Sequence, residues 1–436
     1  MNHLVSIKHL LSGLALLVLI SSCSSTRKST SKVDGPPPSL SKPKPEKKPE
    51  DNKKEAAKAP FNVPAFGKEV KKASYNIAFF APLYLDSVFA NSTEIPGRTM
   101  PRYVLPGLEF YEGAQLALDT LQQLGYNLKV TVYDSKARQS VSSLIRSKAL
   151  DETDLILGAV SNPELKELSD FAKSKEINFV SGTYPNDGGI SDNPFLYISN
   201  STLKTHCDAL QNYIQDAFTN KNIVLFRRNT AFETRLAADF RASYEKMEST
   251  RKSRIREVVW NEATTPEEIS KYLLTDRTNA VIVTALDEAG AKSLLRKLSV
   301  SAATYPLQIF GMPTWDVIKL KEPEFKGLQV YYSSPYYNDK TDYYSKYISD
   351  YFRRVYKARP SDMAFKGFDL TYYFVKLLYT NGVYFNSMVS NAPKVITNYN
   401  FLPVYLKEGE QTPSYFENKN IYIIQKGDSA DIKMNK

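Results

Sequence analysis

The chain has 436 residues, 42% of them hydrophobic and 12% aromatic, enough to bury the cores of two lobes of ordinary domain size. Its formal charge of +10 is concentrated in residues 24–74, where 13 Lys and Arg stand against 6 Asp and Glu; residues 75–436 carry only +2, which excludes a basic nucleic-acid groove. The Cys residues are Cys23 and Cys207 and the His residues are His3, His9 and His206, too few in the body of the chain for a zinc site of several His or Cys.

Met1–Ser22 has a basic start at Lys8, an apolar stretch from Leu10 to Ile20 and then small residues. It is too short and too weakly flanked for a stable span and fits an export signal. Its end, Ile20-Ser21-Ser22-Cys23, resembles the lipobox of bacterial lipoproteins, and the resemblance implies cleavage before Cys23 and lipidation there. Acyl chains on Cys23 would anchor the protein to a membrane, at about 0.8 kcal/mol per buried CH₂. The following residues, Ser24-Ser25-Thr26-Arg27-Lys28, lack the acidic cluster associated with surface export in some Gram-negative lipoproteins. The expected place is therefore the cell envelope, facing the periplasm.

Residues 23–74 read as a lipidated Pro/Lys-rich linker. Pro36-Pro37-Pro38 and the run Lys42 to Pro49 show no apolar periodicity, so the segment cannot bury enough surface to offset ordering entropy and is expected to be a disordered tether. In extended polyproline II it would reach roughly 160 Å. It serves as a stand-off cord, or its lysines touch anionic lipid or cell-wall polymer.

From Tyr75 to about residue 427, apolar strands alternate with amphipathic helices, the pattern of parallel sheets covered on both faces. Strands are predicted over Tyr75–Pro82, Leu128–Asp134, Leu155–Val160, Ile177–Ser181, Phe195–Ser199, Ile223–Arg227, Ile255–Trp260, Ala280–Ala285, Leu307–Gly311, Leu328–Ser333 and Ile421–Gln425. Helices are predicted over Gly107–Leu124, Pro163–Lys175, Thr202–Phe218, Phe232–Glu248, Pro266–Thr275, Asp287–Ser299, Asp342–Tyr356 and Ala364–Tyr379. Residues 428–436 form a tail. In the first helix Leu108, Ala114, Ala117, Leu118, Leu121 and Leu124 share one face, and Gly125 stops it.

In Thr202–Phe218, Cys207 shares a stripe with Leu203, Leu210, Ile214 and Ala217 and reads as a small buried hydrophobe. His206 flanks that stripe and reads as a surface or boundary residue. Residues 331–384 hold 13 of the 29 tyrosines, a packing feature more than a stacking platform. Asn186-Asp187-Gly188-Gly189 suits a cation or phosphate loop but is also ordinary turn chemistry. There is no Gly-x-x-x-x-Gly-Lys-Ser/Thr stretch and no Gly-x-Ser-x-Gly elbow, and Ser161 lacks an evident base. No catalytic residue, metal or cofactor is therefore expected, and the chain does not read as an enzyme.

The stretch Gly107-Leu108-Glu109-Phe110-Tyr111-Glu112-Gly113-Ala114-Gln115-Leu116-Ala117-Leu118-Asp119 resembles the first helix of type I periplasmic binding proteins, the relatives of the leucine/isoleucine/valine-binding protein. Leu155–Ser161 with Asn162-Pro163-Glu164, and Asn178–Tyr184, are similar to the family's next strand ends. Gly327-Leu328-Gln329-Val330 and Ile421–Gln425 sit where that family recrosses between lobes. The resemblance implies an α/β fold of two doubly wound parallel-sheet lobes joined by three crossings. Lobe one would span about 75–199 and 332–415, and lobe two about 200–331 and 416–427.

The resemblance also implies a small-molecule ligand between lobes that close as a hinge. Contacts would come from Ser161, Asn162, Thr183 and Tyr184 in lobe one, with Tyr84 stacking past the first strand. In lobe two they would come from Arg228, Asn229, Phe232, Asp287, Met312, Thr314 and Trp315. Hydroxyls and free helix N–H groups suit a carboxylate or another compact polar group. Where amino-acid binders of the family hold the ligand ammonium on an acidic residue, this chain has Met312-Pro313-Thr314-Trp315-Asp316, so that contact falls to Asp316 or is missing. The long connection Tyr84–Pro106, with Arg98 and Arg102, is a lid or a surface insertion. The expected partner is an ABC permease served by a lipid-anchored solute-binding protein. The alternative is a regulatory or scaffolding lipoprotein that resembles cell-wall synthase activators and partners an envelope enzyme.

Overall fold

The computed structural model describes residues 71–89, 100–218, 220–320, 323–325, 327–391, 394–427 and 431–434. The export signal, Cys23, the linker up to residue 70, and Arg98 lie outside the described residues. No helix among the described residues is long and apolar enough to cross a membrane.

Fourteen strands among the described residues form two seven-stranded sheets. The first holds β1 (Tyr75–Ala81), β2 (Leu128–Asp134), β3 (Leu155–Gly158), β4 (Asn178–Ser181), β5 (Leu196–Ile198), β11 (Phe401–Val404) and β12 (Tyr415–Asn418), in the order β11-β12-β5-β4-β3-β1-β2. All its pairings are parallel except β11 with β12. The second holds β6 (Lys221–Arg227), β7 (Ile255–Val259), β8 (Thr278–Val283), β9 (Leu307–Gly311), β10 (Gln329–Ser334), β13 (Tyr422–Gln425) and β14 (Ile432–Lys433), in the order β14-β13-β10-β9-β8-β6-β7. Here β6 to β10 pair in parallel, and β13 and β14 close the edge antiparallel. The central strands are buried along almost their whole length, with polar residues confined to their ends, because helices cover both faces of each sheet.

Three strands escape the sequence reading. β11 carries Pro403 in mid-run, which argues against a central strand; it lies at the sheet edge, where a missing N–H is tolerated. β12 ends in the buried polar pair Glu417 and Asn418, and β14 is only two residues long. β10 and β12 each run past the expected lobe boundaries at 331/332 and 415/416. The chain therefore crosses between sheets after β5, at 334–336 and at 418–421. Leu124, expected on the buried face of the first helix, is 43% exposed, because that helix ends at Gln123.

In lobe one, α2 (Leu105–Gln123) and α10 (Asp362–Asn381) pack almost backbone to backbone. A Cβ on Gly113 would lie 1.9 Å from the Ala364 carbonyl oxygen, and one on Gly367 would lie 2.0 Å from the Phe110 carbonyl oxygen. The two glycines let each helix sink into the other. This seats the first turns of α10, with Lys366, beside the end of the sheet. Neither contact can be relieved by a flexible side chain. Gly113→Ala is expected to destabilise the chain by about 2 kcal/mol or more, read as a lower denaturant midpoint; an unchanged midpoint would refute this packing.

Candidate functional site

The three crossings meet at Glu417 and Asn418, both essentially inaccessible to solvent. Asn418 Nδ2 donates to the carbonyls of Ser199 (3.5 Å) and Pro335 (3.3 Å), one on each of the other crossings. Its Oδ1 accepts the N–H of Asn400 and of Asn420, each at 3.1 Å. Glu417 accepts the Thr202 N–H (2.7 Å) and hydroxyl (2.8 Å) and pairs with Lys419. Lys419 Nζ also donates to Thr205 Oγ1 at 2.8 Å. Thr202 caps α5 (Leu203–Ala217), so the knot fixes the start of that helix.

A cavity of about 450 Å³ opens between the lobes beside this knot. Lobe one contributes Thr183, Asn186 and Lys366; lobe two contributes His206, Thr314 and Asp316; the crossings contribute Asn200, Ser201 and Ser334. Lys366 is half-buried, and its ammonium lies 5.4 Å from the centre of the Tyr336 ring. Burial lowers its pKa, against the pull of Asp362 and Asp316. Burial raises the Asp316 carboxyl, opposed by Lys426 and Lys366.

The strand ends thus bring Thr183, Thr314 and Asp316 to one cleft. The other expected contacts are engaged elsewhere. Trp315 is fully buried; its ring covers Gly311 and its Nε1 donates to the Ala285 carbonyl at 2.8 Å, so it is a core residue. Met312 is buried in the same core. Arg228 bonds Glu233 at 2.5 Å and forks onto Asp287, whose pKa that bond depresses; the two expected ligand contacts neutralise each other. Asp287 also caps the helix Glu288–Ser301 through the Gly290 N–H at 2.8 Å. Asn229 and Phe232 are exposed and do not line the cavity.

Ser161 opens the helix Asn162–Lys175, its N–H held by Glu164 at 2.5 Å, and Glu164 is paired with Lys136. Asn162 Oδ1 is buried, and a Cβ on Gly188 would sit 2.8 Å from it. Tyr184 packs on the apolar cluster around Phe80, Phe179 and Leu165, away from the cleft. Tyr84 meets Tyr103 edge-on at 5.1 Å. The Asp134 carboxylate, which collects the N–H groups of Leu83, Tyr84 and Leu85, holds the start of that connection. Arg102 is exposed, and residues 90–99 lie outside the described residues.

Sequence reasoning passed over Lys366, Asn200 and Ser334, and weighed Asn186 only as part of a cation or phosphate loop or an ordinary turn. A signal existed for Lys366: it stands inside the apolar run Ala364–Phe374 of a helix buried nearly all round, where a charge requires a reason. His206 departs from its expected surface position. It is 1% exposed, and Nδ1 meets Ser333 Oγ at 2.9 Å. Cys207 is buried in the lobe-two core, and burial pushes its thiol up. Among the described residues no group of three or more His, Cys, Asp or Glu is placed to hold a metal.

Residues 105–387 match the family model described as periplasmic binding protein. No curated protein matches the chain. Among solved structures, a candidate branched-chain amino acid ABC transporter from Rhodospirillum rubrum is 14% identical, with 83% of this chain and 100% of that one covered and a TM-score of 0.59. An ABC-type branched-chain amino acid transporter from Rhodopseudomonas palustris is 13% identical over 83% and 98%, with a TM-score of 0.56. An ABC transporter substrate-binding protein from Desulfitobacterium hafniense, solved in complex with Leu, is 12% identical over 83% and 100%, with a TM-score of 0.53. At these identities the likeness establishes the fold.

Burial lowers the His206 pKa from 6.5 to about 4, with Glu417 opposing the shift. The folded state therefore binds fewer protons than the unfolded state between those values, and stability falls as pH drops through that window. At pH 5 the loss relative to neutral pH is about 2 kcal/mol from this group. His206→Gln is expected to flatten the wild-type fall in denaturant midpoint between pH 7 and 5 by that amount. Parallel curves would place the titration elsewhere.

Proposed function

The chain belongs to the periplasmic binding protein family, and we propose that it captures a small polar ligand between its two lobes and binds it without transforming it. The observation that carries this reading is the 450 Å³ interlobe cavity, lined by polar groups from both lobes and from two of the three crossings. That volume lies within the usual range of small-molecule sites, about 300–1,000 Å³. Thr183 and Thr314 line the cavity from opposite lobes, so closing the cleft on a ligand would engage both. The hinge side chains Glu417 and Asn418 stay outside the ligand set.

In this reading Cys23 carries the lipid anchor, residues 24–74 form the cord, and the closed lobes present the ligand to an ABC permease at a periplasm-facing membrane. A second reading is favoured by the length of the Pro/Lys-rich segment, which exceeds what a transporter's binding component needs. There the same fold serves as a regulatory or scaffolding lipoprotein for an envelope enzyme.

A thermal-shift panel of amino acids, sugars, sugar acids and short peptides tests the first reading. A ligand at 100 times its Kd should add about 2.7 kcal/mol of stability. Thr183→Ala with Thr314→Ala is expected to abolish that gain while moving unliganded stability by less than about 0.5 kcal/mol. Retained binding in the double variant would remove the cleft assignment. Membrane fractionation separates the readings: an outer-membrane location with no shift from any compound supports the regulatory one. Release of Cys23→Ala into the soluble fraction is expected under either.

A further inference from the structure

Lys366 differs from other lysines of the two lobes. Lys136 pairs with Glu164, Lys340 with Asp362, and Lys419 with Glu417. Among the described residues, no hydrogen bond or ion pair engages the Lys366 ammonium. Its one close partner is the face of Tyr336, itself only 9% exposed. Asp316 and Asp362 act on it only from longer range. An ammonium carries three donors, and a ring face satisfies one side of it. The glycine contacts between α2 and α10 fix the turn that bears it, so the group is positioned by backbone packing.

Three of the four hydroxyls that line the cavity, those of Thr314, Ser334 and Ser201, have a common orientation. Thr314 Oγ1 donates to the Leu286 carbonyl at 2.6 Å, Ser334 Oγ to the Tyr336 carbonyl at 2.7 Å, and Ser201 Oγ to the Asn418 carbonyl at 2.5 Å. Each has spent its only proton inward and offers the cavity lone pairs alone. Asp316 adds a carboxylate on the same side. Asn186 is arranged the other way. Its Oδ1 accepts the Leu203 N–H at 3.2 Å, and Nδ2 has no partner among the described residues. The cavity is therefore polarised, with donors on the lobe-one wall at Lys366 and Asn186. Thr314 and Asp316 place acceptors on the lobe-two wall, and Ser201 and Ser334 place them on the crossings.

We propose that Lys366 is the anion anchor of this cleft: with Asn186 it receives the carboxylate, or a similarly compact anionic group, of a ligand whose donor-bearing end faces Thr314, Asp316 and Ser334. This rests on the solute-binding reading and adds the chemistry and orientation of the ligand. Two ligand types share that chemistry. An amino acid presents an ammonium to the acceptor wall, and a sugar acid presents hydroxyls.

Calorimetric titration of the full chain with matched probes tests the anchor: L-leucine against L-leucinamide, and D-galacturonate against D-galactose. The acid of one pair is expected to bind at least about tenfold more tightly than its neutral partner. Lys366→Met should remove that preference, and Lys366→Arg should keep it. The unliganded melting temperature of each variant reports that the fold is intact. Which pair responds distinguishes an amino acid from a sugar acid. Equal binding of acid and neutral members, or undiminished acid binding by Lys366→Met, overturns the anchor and leaves the solute-binding reading standing. Failure of both pairs and of the wider compound panel overturns both.

Discussion

Two buried side chains, Glu417 and Asn418, hold the three chain crossings together. Wherever a chain leaves one sheet for another, its N–H and C=O groups lose their ladder partners and must be satisfied by something else. Asn418 supplies a donor to two crossings and an acceptor to the third, and Glu417 supplies acceptors to the start of α5. A buried carboxylate is tolerable there because the Thr202 N–H and hydroxyl and the Lys419 ammonium all meet it. The cleft beside this knot inherits its walls from it: Asn200 and Ser201 lead into α5, and Ser334 leads out of β10.

The rest of the cleft follows from how each lobe disposes of its charges. Outside the cavity lining, Arg228 is matched with Glu233 and Asp287, and Lys136 with Glu164. These groups answer one another and hold helix starts in place. Lys366 and Asp316 lie in the cavity without joining in an ion pair. Donors on one wall and acceptors on the other give the space a direction, which a nonpolar or evenly polar cavity would lack. That polarity is a property of hydrogens already committed to backbone carbonyls, so it exists before any ligand arrives.

The sheets were highly legible because their strands are buried on both faces and stand out as apolar runs. β9 coincides with the expected strand residue for residue, and so does β2, although it is a largely exposed edge strand. β11 was hidden by Pro403, since a proline marks an edge strand and a loop alike. For the site, position after a strand end was informative and residue type was not. Thr183 and Thr314 follow strands and reach the cleft. Trp315 also follows one, yet its ring fills the space that Gly311 leaves. Arg228 looked like a ligand contact because its partner Asp287 stands 59 residues away in the chain.

Local periodicity alone determined the alternation of strand and helix, and with it parallel sheets covered on both faces; the division into two lobes came from the resemblance to type I periplasmic binding proteins. Periodicity could do so because burial on one stripe or two faces leaves its mark within a single element. Which side chains face the gap was decided only by tertiary structure. Lys366 owes its place to two glycines that let α10 sink against α2, and the hydroxyls owe their direction to carbonyls on other segments. A proton's direction is set by the acceptor that receives it, and those acceptors are neighbours in space that the linear order of residues does not reveal.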